Sequence, residues 1–540
     1  MKKDSGSIKM PGYLFVFVGL TVYVWAQGFI METSGLAKYY WLCNCIFLLS
    51  IYTFTGTGYS HGSKNFSIKH FLYNGVVFLA FVEAAVVILQ YGAVIAVPTR
   101  LFRCTGTWSN PNISAIFLAL SLTSVLFINK NAITIFKKLV SKIVLLIVLI
   151  ALFLLGSRTA FLVTIIILLF EYSSYLYALI YKYIKIGEKQ FEYSLYIFFV
   201  VVMILLSVFV KEKSTSGRIY ILKNAIEVIS QKPILGYGFG QFERDYNLYT
   251  ASKNTLDNEH VNMAYNDFIE LGIEGGLVGF ILWVLFLGLL IGFCLKNGII
   301  RMYPVVLSFI IVQVTNFGFQ AIPIMVLFLM YIGVEAAEVL RSPDSSPILG
   351  SKDITHTVLS IFLLIISIIG LINTSKISGA FYRKAEIVKK YFGQNRVKEL
   401  LRLSEVLNPF SSFHENIGDA FLQASNYENA LMYYSFALKK SSSPSLFSKL
   451  GYCYQMVGKF DSSQREYEIV QRMEPKLLSP HLALLNLFHQ KKDTLNIIRE
   501  AKMIIEMPVK IQNARSDEIK QYADSIFKIV TNPPVIKVLK

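Results

Sequence analysis

The sequence predicts an all-α protein in two parts, a polytopic transmembrane helical bundle followed by an α-solenoid. Two observations predict the bundle: 54% of the 540 residues are hydrophobic, and the mean hydropathy of +0.51 is typical of polytopic membrane proteins. The third observation is that long apolar runs stop near Asn373 and give way to charged, amphipathic helical patterns. We therefore divide the chain into a membrane domain at 1–375 and a helical domain at 376–540.

About eleven segments have the apolar composition and the length of a membrane span, which needs about 20 residues. They lie near 12–30, 38–56, 72–93, 113–128, 139–155, 159–181, 192–210, 273–295, 302–317, 319–338 and 354–373. A long polar loop, 211–271, separates the seventh from the eighth. Loops of this length between spans are more often functional elements than tethers.

The distribution of basic residues orients these spans, because cytoplasmic loops are enriched in Lys and Arg. An eleven-span arrangement with a cytoplasmic N-terminus places most of the loop cations inside. The short outer loops then contain only Lys38, Arg100, Arg103 and Arg158. This orientation predicts that the 211–271 loop and the 376–540 tail both lie outside.

The net charge of +17 indicates contact with anionic lipid headgroups and not with nucleic acid, because the cations are scattered through short loops between spans. The five cysteines are Cys43, Cys45, Cys104, Cys294 and Cys453. Their spacing includes no second Cys pair, so we predict neither a metal site nor a disulfide framework.

Two stretches of the tail repeat one pattern 33 residues apart, with the spacing of tetratricopeptide repeats. The first contains Ile417, Gly418, Phe421, Ala430, Tyr434 and Ala437, and the second contains Phe447, Leu450, Gly451, Tyr454, Tyr467 and Pro475. Each helix pair of such a repeat must stack on a neighbour to bury its apolar face. The tail is therefore predicted to be a tetratricopeptide-like solenoid, either a structural cap or a docking surface for another protein.

Two arginines on the predicted outer face are candidate anion-binding residues. Arg158 stands at the outer end of a span, where it either snorkels to the interface or grips a phosphate with its bidentate fork. Arg218 closely follows Ser216, which is predicted to cap a helix over 218–230. In the first turn of that helix, Arg218 would lie beside free backbone N–H groups, an arrangement that favours a bound anion.

The long loop also contains a glycine-rich turn and one histidine. The turn, 232–240, follows a predicted helix instead of a strand and lacks the pattern of a nucleotide-binding loop, so it is either a turn packed on the membrane surface or a functional loop. His260 lies among Asp257, Asn258 and Glu259. If it faces the two arginines, it is a candidate general base, because imidazole accepts protons near neutral pH.

Together these residues resemble the O-antigen ligase and polymerase superfamily of membrane glycosyltransferases, in particular a sub-type with a C-terminal tetratricopeptide tail. The similar stretches are Thr105–Asn112, Gly156–Ala160, Gly217–Gly240, Asp257–Gly279 and the tail. The resemblance implies transfer of a glycan from an undecaprenyl-diphosphate carrier to an acceptor hydroxyl at the periplasmic face of the bacterial inner membrane, with inversion and without a metal or cofactor. The acceptor is a lipid, a growing polysaccharide or a protein, so an O-antigen ligase, a polymerase and a protein O-oligosaccharyltransferase are alternatives.

The resemblance also implies site residues. The family's serine–arginine and glycine–arginine pairs match Ser157–Arg158 and Gly217–Arg218. The family's loop histidine precedes an asparagine, and anchoring its motif on Glu274 puts Tyr265 and Asn266 at those two positions. His260 either substitutes for that histidine or the sub-type works without it. The implied catalytic residues are His260, Arg158 and Arg218, and the implied substrate-binding residues are Ser157, Asn110, Gly217, Tyr265, Asn266 and Glu259.

Two other classes of function are less well supported. A lipid or polysaccharide transporter needs charged or broken helices near the middle of the membrane, whereas the predicted spans contain Glu83 as their main ionisable residue. A scaffold whose tail docks other envelope proteins needs fewer than eleven spans as its anchor. The sequence therefore favours a surface site, with a lipid-linked glycan, an acceptor and membrane lipids as partners.

Overall fold

The computed structural model describes residues 12–30, 38, 41–46, 48–49, 68–99, 102–181, 212–299, 302–340, 354–509 and 513–531, with a few positions between 183 and 198. Every regular element within these ranges is a helix, which confirms the predicted all-α class. The membrane bundle, the long loop and the tail each have a buried apolar core of their own.

The helices before the tail end in a long element that reaches into it. In chain order they are α1 (Gly12–Ile30), α2 (Ile68–Tyr91), α3 (Pro111–Lys130), α4 (Ile135–Leu155), α5 (Arg158–Glu171), α6 (Ser173–Tyr181), α7 (Glu212–Gln231), α8 (Phe242–Lys253), α9 (Asp267–Asn297), α10 (Met302–Thr315), α11 (Ile322–Leu340) and α12 (Ile354–Lys390). The boundary predicted at 375 falls inside α12, so the last apolar segment and the first tail helix are one continuous element.

Five of these helices, α1, α2, α3, α4 and α9, are long and apolar enough to cross a membrane. The pair α5 and α6 is a sixth candidate, bent by 70°, and α10 and α11 are apolar but shorter. The predicted spans 38–56 and 192–210 lie largely outside the described residues, and 354–373 is contained in α12. The expected total of about eleven spans is therefore not confirmed.

Helix α3 is the most buried of the five long candidates, with 72% of its apolar window inside the protein. Its Ser124 hydroxyl lies 2.9 Å from the hydroxyl of Tyr331 on α11. The Tyr331 hydroxyl donates to the Leu120 carbonyl of α3 at 3.1 Å. On another side of the bundle α1 packs along α9, where the rings of Phe17 and Phe286 stack at 4.9 Å. Paired hydroxyls and stacked rings thus connect neighbouring helices of the bundle.

The long loop folds into α7 and α8, which pack on the start of α9 around a core that includes Val228 and Tyr246. The sequence predicted that α7 would begin near Arg218 under a Ser216 cap, and this is wrong. The helix begins at Glu212, so Arg218 lies in its second turn, away from free N–H groups. A capping preference is a local signal, and continued backbone hydrogen bonding overrides it here.

Helix α9 is broken at Gly276, whose φ of 59° and ψ of −161° are not helical. The glycine-rich turn inserts beside this break, where the Tyr237 N–H donates to the Ile273 carbonyl at 2.8 Å. Gly236 and Gly276 meet backbone to backbone, and a Cβ added to Gly276 would lie 2.4 Å from the Ile234 carbonyl oxygen. The turn is therefore packed into the broken helix, and both glycines are required by the closeness of the two chains.

Two polar side chains of α1 bind backbone groups where the glycine-rich turn meets the broken helix. The Tyr23 hydroxyl donates to the Gly275 carbonyl at 2.8 Å. The Gln27 amide donates to the Glu274 carbonyl at 3.0 Å and accepts from the Phe239 N–H at 3.2 Å. Backbone groups that the break would leave unpaired in a buried region are thus satisfied.

The tail consists of helices that pair along the chain. They are α13 (Gly393–Leu401), α14 (Ser404–Leu407), α15 (Ser411–Gln423), α16 (Tyr427–Leu438), α17 (Pro444–Met456), α18 (Phe460–Met473), α19 (Leu478–Lys491), α20 (Thr494–Glu506) and α21 (Ala514–Thr531). In α15 a Cβ on Gly418 would lie 2.5 Å from the Tyr434 ring, and in α17 a Cβ on Gly451 would lie 2.6 Å from the Tyr467 ring. The 33-residue sequence repeat thus places equivalent residues in equivalent contacts.

The tail docks onto α8 and the segment that follows it. Ala251 of α8 is buried with Phe447 and Met473 of the tail. Two loop side chains donate to main-chain carbonyls of the tail: Arg244 Nε to that of Leu438 at 3.1 Å, and Asn258 Nδ2 to that of Arg472 at 2.8 Å. The tail and the long loop therefore form a single contact surface.

Candidate active site

Three of the predicted site segments meet at the C-terminal end of α10. Arg218 Nη1 donates to the Thr315 carbonyl at 2.9 Å, and the Asn266 amide donates to the Val314 carbonyl at 3.0 Å. The hydroxyl of Thr159, in the first turn of α5, lies 3.0 Å from that of Thr315. The last carbonyls of a helix have no intrahelical partners, so the end of α10 anchors side chains from α5, α7 and the start of α9.

Arg158 and Arg218 approach the end of α10 from α5 and α7 respectively. Partial burial and the positive charge of Arg158 lower the pKa of Arg218. Both side chains still reach solvent. Two neighbouring positive charges repel each other, and an anion bound between them would relieve this repulsion and accept their hydrogen bonds.

Two buried polar atoms flank the arginines. Ser157 Oγ and Asn316 Oδ1 have no hydrogen-bond partner among the described residues. Ser157 precedes Arg158 at the cap position of α5, and its hydroxyl makes no capping bond; Asn316 follows Thr315. An unpaired buried polar group costs about 1–3 kcal/mol, a cost that a polar group of a bound substrate would remove.

Tyr265, which is predicted to stand at the position of the family's histidine, is part of the same cluster. Its backbone has φ 52°, and its ring centroid lies 5.6 Å from Arg218 Cζ. The ring of Phe317 meets the ring of Tyr265 edge-on, with the two centroids 6.1 Å apart. Asn266 begins α9, because its Oδ1 accepts from the Phe268 N–H at 3.0 Å. The structure thus brings Tyr265 and Asn266 to the arginines, an arrangement that we call the arginine site.

His260 lies at the contact between the long loop and the tail. Its Nε2 is 3.0 Å from Glu243 Oε1, and its backbone N–H donates to Glu474 Oε1 at 3.2 Å. Ser441 of the tail also donates to the Glu243 carboxylate, at 3.0 Å. The neighbouring Glu259 is exposed. The described partners of His260 are thus carboxylates at the tail contact, and its predicted role as a base stays a prediction.

The remaining predicted substrate-binding residues are Asn110 and Gly217. Asn110 caps α3 by accepting from the Asn112 N–H at 2.9 Å, and a Cβ on Gly217 would meet nothing within 4 Å. The loop before Asn110 is fixed by Glu83, which accepts from the Thr107 hydroxyl at 2.6 Å. Glu83 therefore holds a loop at the end of the bundle.

Both arginines and Tyr265 fall within a stretch that a known family also contains. Residues 143–284 match the O-Antigen ligase family. No curated protein matches the chain. This match supports the predicted resemblance to the O-antigen ligase and polymerase superfamily. It also supports a membrane glycosyltransferase function, either as an O-antigen ligase or as a polymerase. The tail lies outside the matched residues.

The matched residues 143–284 also contribute to a buried charge cluster that sequence reasoning missed. Lys38 Nζ forms ion pairs with Glu270, at 3.3 Å, and with Glu274. Asp267 and Gln320 line the same cavity of about 20 Å³, which has room for one water. The glutamates are four residues apart on α9, a spacing that places them on one face. No signal in the sequence indicates that Lys38 meets these glutamates, which are 232 and 236 residues away.

Proposed function

We propose that the protein transfers a glycan from an undecaprenyl-diphosphate carrier to an acceptor hydroxyl at the periplasmic face of the bacterial inner membrane, without a metal or cofactor. The observation that supports this most directly is that Arg218 and Thr159, the neighbour of Arg158, both contact Thr315 at the end of α10. Both arginines lie within the residues that match the O-Antigen ligase family. Each guanidinium presents a fork of donors that suits one phosphate, so two of them suit a diphosphate.

In the proposed reaction the acceptor oxygen attacks the anomeric carbon of the glycan from the side opposite the diphosphate. The bond between that carbon and the diphosphate oxygen breaks, the diphosphate leaves with the electron pair, and the configuration inverts. Negative charge therefore grows on the diphosphate, where Arg158 and Arg218 would stabilise it. Electrostatic stabilisation of this kind is usually the largest single catalytic term.

The acceptor proton passes to a base, a role that we assign to His260. Its contact with Glu243 orients the ring in the way that carboxylates orient catalytic histidines. Tyr265 and Asn266 are assigned to substrate binding at the arginine site. Because His260 is held at the tail contact while Arg218 is held at α10, we expect loss of His260 to cost less than loss of an arginine.

The break in α9 supports a site at the membrane surface over a transport pathway through the membrane. Transporters place broken helices and ionisable residues near the middle of the bilayer. Gly276 lies near the loop end of α9, and the long loop packs directly on it. The broken helix thus fixes the loop that carries Arg218. We propose that the tail, a tetratricopeptide-like solenoid, holds a partner protein or the acceptor beside that loop.

The arginines are tested by transfer of glycan from purified lipid carrier to acceptor. Losing one partner of a charged hydrogen-bonded pair costs about 2–5 kcal/mol, which at about 1.4 kcal/mol per decade is roughly a 30- to 4000-fold loss of transfer rate. We expect this loss for Arg158→Ala and for Arg218→Ala. Arg→Lys at either position is also expected to be poor, because an ammonium group lacks the bidentate fork.

Arg402→Ala is a matched control, because Arg402 is an exposed tail residue that pairs with Glu399 at 2.7 Å. It should transfer at the wild-type rate, and all variants should reach the membrane in equal amounts by immunoblot. Wild-type transfer by both Arg→Ala variants would remove the arginines from the mechanism.

A deletion strain distinguishes the acceptors. Loss of long glycan chains with single units retained indicates a polymerase, loss of all lipid-linked surface glycan indicates a ligase, and loss of glycopeptides alone indicates transfer to protein. Unchanged surface glycans and glycoproteins in the deletion strain would contradict the transferase proposal.

A further inference from the structure

Helix α7 has two apolar faces, and the described residues cover only one of them. Its Ala225 and Val228 are buried against α8 and α9. On the opposite side Ile219, Leu222 and Ile226 form a stripe at helical spacing. Ile219 and Ile226 are 59% and 57% exposed. A stripe of aliphatic side chains on an amphipathic helix indicates a second apolar environment outside the protein.

The turn after α7 extends this stripe to the lipid-facing side of α9. Ile234 and Leu235 are exposed, at 65% and 50%. Backbone hydrogen bonds from the Leu277 and Val278 N–H groups to the carbonyls of Pro233 and Ile234, at 2.8 and 3.3 Å, fix the turn beside α9. Leu277 is itself 55% exposed on a candidate membrane span. The exposed Ile234 thus belongs to a turn that is bonded to the segment of α9 that contains the exposed Leu277.

Basic and aromatic residues border the apolar surface. Lys223 lies next to the stripe on α7 and is exposed, and Lys232 Nζ lies 4.3 Å from the ring centroid of Tyr237. Lysines with long aliphatic stems and tyrosines are the residues that mark the boundary between lipid and water, where ammonium groups meet phosphates. The charge at this edge thus suits anionic lipid headgroups.

We infer that α7 is an interfacial helix whose stripe of Ile219, Leu222 and Ile226, continued by Ile234 and Leu235, is covered by the lipids of the leaflet on the loop side. Continuity with the exposed face of α9 selects lipid over a second protein as the occupant. Arg218 precedes the stripe by one residue, so lipid contact sets its height at the level of the headgroups. If the proposed function holds, that is the level at which the diphosphate of a lipid carrier lies.

The test uses the full-length protein with a fluorescent label at Ile226→Cys, in nanodiscs of phosphatidylethanolamine and phosphatidylglycerol. All five native cysteines are buried, so labelling is selective. Quenchers are lipids that carry a nitroxide either near the top or near the end of the acyl chain. Interfacial helices bury their apolar face about 5–10 Å below the headgroups, so we expect strong quenching by the shallow nitroxide and weak quenching by the deep one.

Leu256→Cys is the matched control. Leu256 is an exposed aliphatic residue of the same loop, 73% accessible, beside the tail contact of Asp257 with Lys476. Its label should not be quenched by either lipid. Equal quenching at both positions, or none at Ile226→Cys, would overturn the inference. A label at Ile226→Cys that is shielded from water but not quenched by lipid would show that a protein occupies the stripe, which would also overturn it.

A second variant measures what the lipid contact does. Ile219→Ser with Ile226→Ser removes apolar side chains only from the exposed stripe, and we expect it to weaken transfer from a membrane-embedded donor while the protein stays in the membrane. Quenching needs no turnover, so its result stands apart from the proposed reaction. A quenched label with no transfer by the wild type would refute the proposed function and leave the interfacial helix intact.

Discussion

Replacing Gly276 with alanine tests the close contact between Gly236 and Gly276 that fixes the glycine-rich turn to the broken helix. The φ of 59° and ψ of −161° belong to a region that only glycine occupies, and forcing another residue into it costs about 1–3 kcal/mol. The new Cβ would lie 2.4 Å from the Ile234 carbonyl oxygen and 2.6 Å from the Gly236 nitrogen. Both are backbone atoms, so no side chain can move aside.

To relieve this contact the turn must leave α9 and lose the hydrogen bonds of Leu277 with Pro233 and of Val278 with Ile234. Each such bond contributes about 0.5–1.5 kcal/mol. Together with the backbone term, Gly276→Ala is expected to destabilise the docked turn by about 2–6 kcal/mol. At about 1.4 kcal/mol per decade, the docked turn then opens at least roughly 30-fold more often.

Hydrogen–deuterium exchange with mass spectrometry measures this opening directly. The Tyr237 and Gly238 N–H groups donate to the carbonyls of Ile273 and Glu274, so a peptide covering 232–240 should exchange faster in Gly276→Ala. Gly288→Ala is the control, because Gly288 lies in the same helix and an added Cβ meets nothing within 4 Å. Equal protection of the peptide in the two variants would refute the reasoning.

Three further predictions concern charge, domain structure and topology. Lys38→Met leaves Glu270 and Glu274 buried without a counter-charge and is expected to destabilise the protein by about 3–5 kcal/mol. This loss should lower the melting temperature, and adding Glu274→Gln to Lys38→Met should partly restore it. An unchanged melting temperature in Lys38→Met would contradict this. A fragment 376–540 should be soluble with a helical circular dichroism spectrum, and a disordered or strand-rich spectrum would disprove the independent tail. Reporter fusions after Lys189 and after Lys540 should be cytoplasmic and external respectively, and one compartment for both would exclude the eleven-span orientation.

Residues whose role depends on local sequence were predicted best. The repeat positions of the tail were found because helix pairing is encoded within each 33-residue unit, as the contacts of Gly418 and Gly451 with Tyr434 and Tyr467 show. That Arg158 and Arg218 act as a pair stays a prediction; in the structure Arg218 and Thr159, the neighbour of Arg158, both reach Thr315 at the end of α10.

Features that depend on contacts distant in sequence were not predicted. The break at Gly276 exists because Gly236 approaches from the loop, and neither glycine alone signals it. The pairing of Lys38 with Glu274 joins segments far apart in the chain. The start of α7 at Glu212 was missed because local capping residues suggested a later start.

The long loop binds the tail partly through main-chain groups. Arg244 and Asn258 bind main-chain carbonyls of Leu438 and Arg472, and these carbonyls are present whatever the side chains at those positions. These two bonds depend on the backbone geometry of the tail, whereas the burial of Ala251 with Phe447 and Met473 depends on its side chains. A foreign solenoid would therefore dock in the same place only if it kept both carbonyls in register and also the side chains equivalent to Phe447 and Met473. An insertion of one residue before either carbonyl would displace it and weaken the contact.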